Sequence, residues 1–593
     1  MCRVIWLFTI LFMALSATSQ AQETYQLEYA TYLGGSGGDR PYKAETDELG
    51  NLYIFGETNS TNFPTSADAI SGSLNGSKDA FLVKLDANGA LVYSTYIGGS
   101  NSDGGLDMVV KSSKEIYLIG TTASNNFPTT SGAYRTTITG NPARFVMKLN
   151  PAIDSLAYST YFYGEQLGID AAGNVYTVAN TGISNLPTST TAYDRTSNGD
   201  DDLYIAKLSA DGTTLRYGTY LGGSKSENFP DIAVDEQGNT YISSSTKSRN
   251  FPTTAGAFDS TFSENEYDEP DLIVTKLNPD GTDIIYSTYL GGHGEEYEST
   301  IRVDKSGCAY ISGNHNLIGS GYSDFPTTPD GYDTRIHRHY SGFFTKFDPS
   351  GNSLMYSTFF GGGVDDRFDI SSSCDFVLDE NSNLYFAGNI WISQRTNPGF
   401  PITAGAYKQT YDYPASNTFL SGLNASGTDL VYSTMLDGDD FCVRIAIDQS
   451  HNIYVVRETK NTELPTTGNA LDSSYNGEDW YSGDIYIIKF ARTTTTATNN
   501  KKQSKPAQFH LCQNYPNPFN PSTTIRFTLS KSERVSLKIY NLVGQHVATL
   551  VDDVRSAGEH QVKWQADGLP SGIYLARLQA ERQMETIKLI FQK

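Results

Sequence analysis

Positive charge is scarce in this chain of 593 residues. Its 43 Lys and Arg stand against 66 Asp and Glu, a formal charge of −23. A nucleic-acid partner needs a basic face, so this balance argues against one, and it favours solubility. Cysteine is scarce too, at five residues. Cys2 lies before the apolar N-terminal stretch, so it is no lipobox cysteine. Cys308, Cys374, Cys442 and Cys512 are far apart and share no ligand spacing, which excludes a metal knuckle. Cys374 and Cys442 precede the inner strands of consecutive repeats, so a disulfide and two unpaired thiols are both open. The eight histidines do not cluster usefully. His337-Arg338-His339, near Asp333, reads as an exposed polar loop before it reads as a metal site. His-Glu-x-x-His, Gly-x-Ser-x-Gly, a phosphate loop and sialidase-type Asp boxes are all missing, and no carboxylate pair stands out from the general acidity. Helical periodicity is absent outside the extreme N-terminus.

What is present is repetition, which is sought before anything else because missing it miscalls the fold. The stretch from Leu91 to Leu149 opens Leu91-Val92-Tyr93-Ser94-Thr95-Tyr96-Ile97-Gly98-Gly99 and closes Phe145-Val146-Met147-Lys148-Leu149. Its opening recurs at Leu27, Leu156, Leu215, Ile284, Leu354 and Leu430, seven copies in all. The steps run from 59 residues (Leu156 to Leu215) to 76 (Leu354 to Leu430). In the fourth copy the short β-prone runs are Asp231–Asp235, Asn239–Ser243, Leu272–Leu277 and Ile284–Leu290. Four short strands cannot bury a core alone, but they suit one propeller blade.

Tight turns join the first two strands at Asp47…Gly50-Asn51, Asp170…Gly173-Asn174, Asp235…Gly238-Asn239 and Asp304…Gly307. Others join the last two at Asp86…Gly89, Asn278-Pro279-Asp280-Gly281 and Asp348-Pro349-Ser350-Gly351. Asp or Asn caps such a turn and Gly supplies its φ > 0 residue. The two remaining connections are long and would share one face, where binding usually resides. The chain starts on a fourth-strand phrase, Leu27–Leu33, and the repeats end on a third-strand phrase, Asp484–Phe490. The first would therefore complete the last blade and close a ring of seven.

Tyr286-Ser287-Thr288-Tyr289-Leu290-Gly291-Gly292, together with Asp-x-x-Gly-Asn-x-Tyr, Phe-Pro-Thr-Thr and Lys-Leu-Asn/Asp, resembles the bacterial SBBP (beta-propeller) repeat. The resemblance covers about residues 27 to 490. It implies an all-β, seven-bladed propeller and little about activity. The third copy departs from it: Phe162-Tyr163-Gly164 runs almost directly into Gly168-Ile169-Asp170.

Residues 1–21 read as a signal peptide, with Arg3, an apolar core Val4–Leu15 and a small-x-small site ending at Ala21. No later segment could span a membrane. The propeller is expected over 22–490, a polar linker over 491–510 and a short β-sandwich over 511–593. Strands of the last domain are expected at Thr524–Leu529, Val535–Tyr540, His546–Val551, His560–Trp564, Gly572–Leu578 and Thr586–Gln592. This domain has ten Lys and Arg against seven Asp and Glu, unlike the acidic remainder. Its Asn514-Tyr515-Pro516-Asn517-Pro518-Phe519-Asn520-Pro521 opening and its Leu569-Pro570-Ser571-Gly572-Ile573-Tyr574 phrase resemble the type A C-terminal sorting domain of the type IX (Por) secretion system. That resemblance implies export through the periplasm of a Gram-negative bacterium to its surface or beyond, with the secretion translocon as partner.

One recurrence could carry chemistry. An acid stands four residues after the second Gly of the inter-blade loop: Asp39, Asp103, Glu227, Glu296 and Asp366. Copy seven has Asp439 and Asp440 slightly displaced. Around a central opening these acids would form a ring able to hold Ca²⁺. Alternatively each caps backbone N–H groups where the chain enters its inner strand, and recurrence in most copies favours a scaffold role. The Phe-Pro pairs at Phe63, Phe127, Phe251, Phe325 and Phe400 offer a sugar-stacking surface or, better, an apolar plug, since Leu186 and Leu464 replace two of them. The expectation is a monomeric, exported binding, adhesion or scaffold module without a cofactor, facing extracellular polysaccharide or a surface protein. The alternative is a polysaccharide hydrolase or lyase using acids at the opening.

Overall fold

The computed structural model describes residues 24–138, 143–263, 269–317, 324–335, 340–361, 368–370, 375–392, 400–410, 416–438, 441–478, 483–493, 510–511, 514, 517, 519–529, 533–555, 558–566, 568–580 and 584–592. The expected signal peptide with Ala21, the linker over 494–509, Asp366, His337–His339, Asp439, Asp440, Pro516 and Pro518 lie outside them. The chain divides into two compact units, Met1–Thr494 and Thr495–Lys593.

The first unit carries seven antiparallel sheets among the described residues, six of four strands and one of five. The first sheet runs outward through Asp39–Thr46, Leu52–Thr58, Asp79–Leu85 and Leu91–Ile97. The inner strands of the others are Asp103–Val110, Gln166–Ile169, Glu227–Val234, Glu295–Val303, Asp375–Leu378 and Phe441–Ile447. Each touches the next, and the last touches Asp39–Thr46, so the cycle closes as a propeller does. The core lies between neighbouring sheets: Tyr53, Phe55 and Leu82 of the first pack with Met108, Leu118 and Phe145 of the second.

Closure is made by the N-terminal strand. Thr24–Leu33 pairs antiparallel with Asp484–Thr493, from Thr24↔Thr493 to Leu33↔Ile485. Tyr32 donates its hydroxyl to the Asn461 carbonyl at 2.8 Å, and Thr24 and Thr493 share a 2.7 Å hydroxyl bond. The outermost strand of the last sheet thus comes from the far end of the repeats.

The repeated motifs have local causes. In the Asp-x-x-Gly-Asn-x-Tyr turn, Asp47 Oδ1 accepts from Leu49 N and Asn51 N at 2.9 and 3.0 Å, and Asp47 Oδ2 from Tyr53 Oη at 3.1 Å. Gly50 takes φ 76° there, while Lys114, Ser382 and His451 hold φ between 60° and 64° in the copies without that Gly. The Lys of Lys-Leu caps the same tyrosine: Lys276 Nζ lies 4.5 Å from the Tyr241 ring centroid. The plug expected of Phe-Pro is what forms. Phe63, Phe127, Phe251, Phe325 and Phe400 are all buried, and Phe127 stacks on Phe145 with centroids 4.3 Å apart.

The inner strand of the fourth copy, expected over Asp231–Asp235, instead begins at Glu227. A bulge between Asn228 and Asp231 absorbs Pro230 and puts Phe229 at φ 52°. Similar shifts occur at Pro41/Lys43, Gly105/Asp107, Tyr297/Thr300 and Phe441/Arg444.

The second unit has two antiparallel sheets. One orders His510–Leu511, Ser522–Leu529 and Gly558–Gln565. The other orders His546–Arg555, Glu533–Asn541, Gly572–Gln579 and Met584–Phe591. Phe527, Leu537, Ile539, Trp564 and Leu589 form one core between them.

Deleting residues 24–33 should bare the backbone edge of Asp484–Thr493. We expect a lower unfolding midpoint and concentration-dependent aggregation in light scattering. A truncated chain that melts like the full one would refute the clasp.

Candidate functional site

The seven inner strands converge on one central cavity of about 440 Å³. Lys43, Glu45, Asp107, Asp231, Arg302 and Asp375 line it, with apolar Val109, Ile232 and Ile445 between them. The bulges aim these charges. Lys43, Asp107, Asp231 and Arg444 each follow their strand's register shift directly. Asp107 Oδ2 accepts from Leu167 N at 3.0 Å, Asp231 Oδ2 from Ile301 N at 2.9 Å and Asp375 Oδ2 from Ile445 N at 3.2 Å. Each aspartate therefore clips the next sheet's inner strand. The cations complete the network. Lys43 Nζ stands 3.2 Å from Asp107, and Arg302 bridges Asp231 at 3.1 Å and Asp375 at 3.4 Å. Glu45 is pushed up to about 7 by burial, against the pull of Lys43.

Toward the long connections the channel opens into a mouth of about 410 Å³ lined by Tyr42, Glu165, Phe229, Pro230, Glu298 and Arg444. Phe229 is 59% exposed, although its φ of 52° is disfavoured for a bulky residue. Glu298 and Cys442 hold φ 51° and 49° at the equivalent bulges. Arg444 Nε donates to the Tyr42 carbonyl at 2.6 Å. Sequence reasoning missed this site. The signal was present as residues four beyond the junction acids, Lys43 after Asp39, Asp107 after Asp103 and Asp231 after Glu227.

The structure does not bring Asp39, Asp103, Glu227 and Glu296 together, and none lines the cavity. Each is fully buried at its own junction and accepts the N–H of the loop's second glycine, as with Gly35 to Asp39 at 2.7 Å and Gly99 to Asp103 at 2.6 Å. Each faces a second buried acid, the first residue of the preceding sheet's third strand. The pairs are Asp39 with Asp484, Asp103 with Asp79, Glu227 with Asp202 and Glu296 with Asp271. A Cβ at Gly34 would lie 2.6 Å from Asp484 Oδ1 and 2.7 Å from Asp39 Oδ2. One at Gly291 would lie 2.6 Å from Asp271 Oδ1 and 2.7 Å from Glu296 Oε2. The first Gly of Gly-Gly is thus the room the carboxyl pair occupies. Glu296 also shares a 2.6 Å hydrogen bond with His315 Nδ1.

Burial pushes Asp39 and Asp79 up to about 6, and Asp484 and Glu227 up to about 7. It raises Asp271 and Glu296 as well, Asp271 further through the Glu296 charge. Among the described residues, Oδ1 of Asp79, Asp103, Asp271 and Asp484 has no hydrogen-bond partner. Among the described residues no cluster of three or more His, Cys, Asp or Glu is placed to hold a metal ion. Cys442 is a free thiol, and its suggested partner Cys374 lies outside the described residues.

Asp39, Asp79, Glu227 and Asp484 bind protons more readily folded than unfolded. Their contribution to stability is fully present below about pH 4 and is lost as pH rises through 6 to 7. We expect the denaturant midpoint to fall between about pH 5 and about pH 8. Asp484→Asn, which mimics the protonated partner of Asp39, should gain about 1–3 kcal/mol at the higher pH and little at the lower. A flat profile, or an Asn variant weakened equally at both, would overturn this account.

In the C-terminal unit the sorting-motif residues hold the sandwich together. Phe519 is buried, 5.1 Å from Phe591 and 5.2 Å from Trp564 by ring centroids. Asn514 Nδ2 donates to Thr523 Oγ1 at 2.8 Å, and Asn517 Oδ1 accepts from Ile590 N at 2.8 Å. Asn520-Pro521 is a cis peptide. Tyr574 donates its hydroxyl to the Pro570 carbonyl at 2.8 Å, while a side chain at Gly572 would meet nothing within 4 Å.

Comparison with known proteins agrees with these two architectures. Residues 513–592 match the family model "Secretion system C-terminal sorting domain", and residues 28–64 match "Beta-propeller repeat". A search of curated proteins finds no match. Among solved structures the chain is similar to a Dyadobacter fermentans protein of unknown function, with 8% identity, TM-score 0.39, and 79% of this chain and 100% of that one covered. It is similar to the phage phi92 endosialidase, with 8% identity, TM-score 0.36, and coverage of 96% and 88%. It also resembles the Pyrococcus horikoshii acylaminoacyl peptidase, with 6% identity and TM-score 0.36, covering 84% of this chain but only 59% of that one. No helix among the described residues is long and apolar enough to cross a membrane. The chain thus carries a β-propeller repeat and a C-terminal secretion-system sorting domain, and that sorting domain addresses it to the cell surface or the extracellular space of a Gram-negative bacterium.

Proposed function

We propose that this protein is a seven-bladed, exported binding module whose contact surface is the mouth of the central channel. One observation carries the reading: Phe229, with Pro230 beside it, stands exposed at that mouth on a backbone conformation that disfavours it. Such strain persists where surrounding structure imposes it, and it clusters at binding sites. The charges below the mouth are committed to one another and to the backbone of the next sheet, which favours scaffold over chemistry in the channel's depth. The partner in this reading is extracellular polysaccharide or a surface protein, which the export address would let it meet.

The test measures binding of the full chain to isolated cell envelope and to extracellular polysaccharide. Phe229→Ala should weaken binding about tenfold, the loss of one aromatic anchor. Phe229→Gly should weaken it equally while relieving the left-handed strain, worth about 1–2 kcal/mol per residue, because Gly tolerates φ > 0. Unchanged binding in both variants would sink the proposal.

A second reading, a polysaccharide hydrolase or lyase, rests on Glu45. Burial pushes this carboxyl up to about 7 inside the cavity, as a general acid at neutral pH requires. New reducing ends or unsaturated products, abolished by Glu45→Gln, would establish it. Their absence across the same polysaccharides would eliminate it.

The sorting domain is the address and a compact unit of its own. Removing residues 511–593 should leave folded propeller in the periplasm, as cell fractionation would show. Truncated protein outside the cell would refute the assignment of that role to this domain.

A further inference from the structure

The second and third sheets meet differently from the sheets at the four junctions that carry an acid pair. At four junctions a Gly-Gly loop and its buried acid pair fill the space between sheets. Here three features of that arrangement are missing together, as they also are between the sixth and seventh sheets, where Asp437-Gly438, Asn417 and Leu464 stand. Phe162-Tyr163-Gly164-Glu165 replaces the Gly-Gly loop and its acid, Ala143 stands where Asp79, Asp202, Asp271 and Asp484 stand elsewhere, and Leu186 replaces the plug phenylalanine. The result is a cleft of about 610 Å³, within the range of roughly 300–1,000 Å³ usual for ligand sites.

Its walls are aromatic and cationic. Tyr134 and Arg135 come from the long connection of the second sheet, Arg144 from the strand Ala143–Leu149, and Asn185, Leu186 and Pro187 from the long connection of the third. Tyr163 crosses Tyr204 edge-on at 6.0 Å, and Tyr134 crosses Phe162 at 5.7 Å, so the rings are braced. Each guanidinium lies by a ring, Arg135 at 5.7 Å from Tyr134 and Arg144 at 5.9 Å from Tyr163. Arg144 is also paired with Glu165. Among the described residues that line the cleft none is a carboxylate, in a chain of charge −23.

We propose that this cleft binds an acidic oligosaccharide, a chain of carboxylated pyranose rings. The apolar face of a pyranose suits Tyr163 and Tyr134, its carboxylate suits the guanidinium of Arg135, and its hydroxyls suit the exposed amide of Asn185. The site is separate from the channel mouth and does not depend on the reading given to Phe229. In a repeat protein, what most blades share serves the blade, and a junction that abandons the shared pattern and opens into a cleft is free for a ligand.

The test titrates the full chain calorimetrically with oligogalacturonate, with a cello-oligosaccharide of the same length and with a glutamate-rich peptide. Saturable binding of oligogalacturonate is expected, weakened by added salt. Tyr163→Ala and Arg135→Gln should each reduce its affinity about tenfold or more, with unfolding midpoints close to wild type. Asn185→Ala, at an exposed position, provides a third variant should Tyr163→Ala fail to fold. Phe229→Ala should leave this binding unchanged, so failure here and failure at the mouth are distinguishable. The proposal is overturned by absence of saturable oligogalacturonate binding, by equal affinity for the neutral oligosaccharide, by preference for the peptide, or by binding that Phe229→Ala removes and the cleft variants do not.

Discussion

Two carboxyl groups buried face to face beneath a glycine govern how neighbouring sheets meet. A sheet in this fold contacts little but its neighbours, so the geometry of the junction sets the geometry of the ring. At each of four junctions one acid stands first or second in an inner strand and the other opens the third strand of the preceding sheet. Both strands are thereby pinned at the same height. Two such carboxylates cannot both be ionised cheaply, and burial raises the proton affinity of Asp39, Asp484, Asp79 and Glu227. The second Gly of the loop donates its N–H into the pair, while the first leaves the space the pair needs. The Gly-Gly of the repeat is therefore bound to the acid four residues later by sterics as well as by hydrogen bonding.

The same division of labour explains the channel. Asp107, Asp231 and Asp375 look like a catalytic assembly when only the cavity lining is considered. Each spends one carboxylate oxygen on its own neighbour, Met108, Ile232 or Phe376, and the other on the next inner strand. Lys43 and Arg302 neutralise them. Buried charges are tolerated when paired and hydrogen-bonded, and removing one partner strands the other. Such a network is rigid, and it supports a mouth where Phe229, Glu298 and Cys442 hold positive φ.

Much of this was legible in the sequence because it is local or periodic. The phrase from Leu91 to Gly99 repeats, so strands such as Ile284–Leu290 fall where expected. The clasp followed from counting strand phrases, and it forms over Thr24–Leu33. In the C-terminal unit the expected Val535–Tyr540 and Gly572–Leu578 sit within the observed Glu533–Asn541 and Gly572–Gln579. What escaped was non-local or hidden by a rule that usually holds. Pro230 argues against a strand, so the fourth inner strand was started at Asp231 and the bulge that exposes Phe229 went unseen. The partner of Asp39 is Asp484, at the other end of the repeats, and it becomes a neighbour only once the ring closes. The acids aligned by spacing were real equivalents, but equivalence in a ring does not mean convergence on its axis. The acid at each strand's start faces the junction, and the residue after the bulge faces the channel.

Repetition is itself the strongest argument about where function can lie. A feature shared by most copies satisfies a need that most copies share, and here those needs are closing a hairpin, seating a plug and filling a junction. Asp47, Phe63 and Asp39 meet them and are accordingly buried. Binding one ligand at one place requires the symmetry to be broken, and this chain breaks it where structure is otherwise most constrained. The third copy gives up the Gly-Gly loop, the acid pair and the phenylalanine plug at a single junction. Losing them at random would leave an unfilled seam between sheets. Instead aromatic rings braced edge to face and two arginines line the opening. Replacing a scaffold contact by an ordered aromatic wall retains stability while freeing surface, which is how a repeat that evolved to pack can acquire a site without changing its fold.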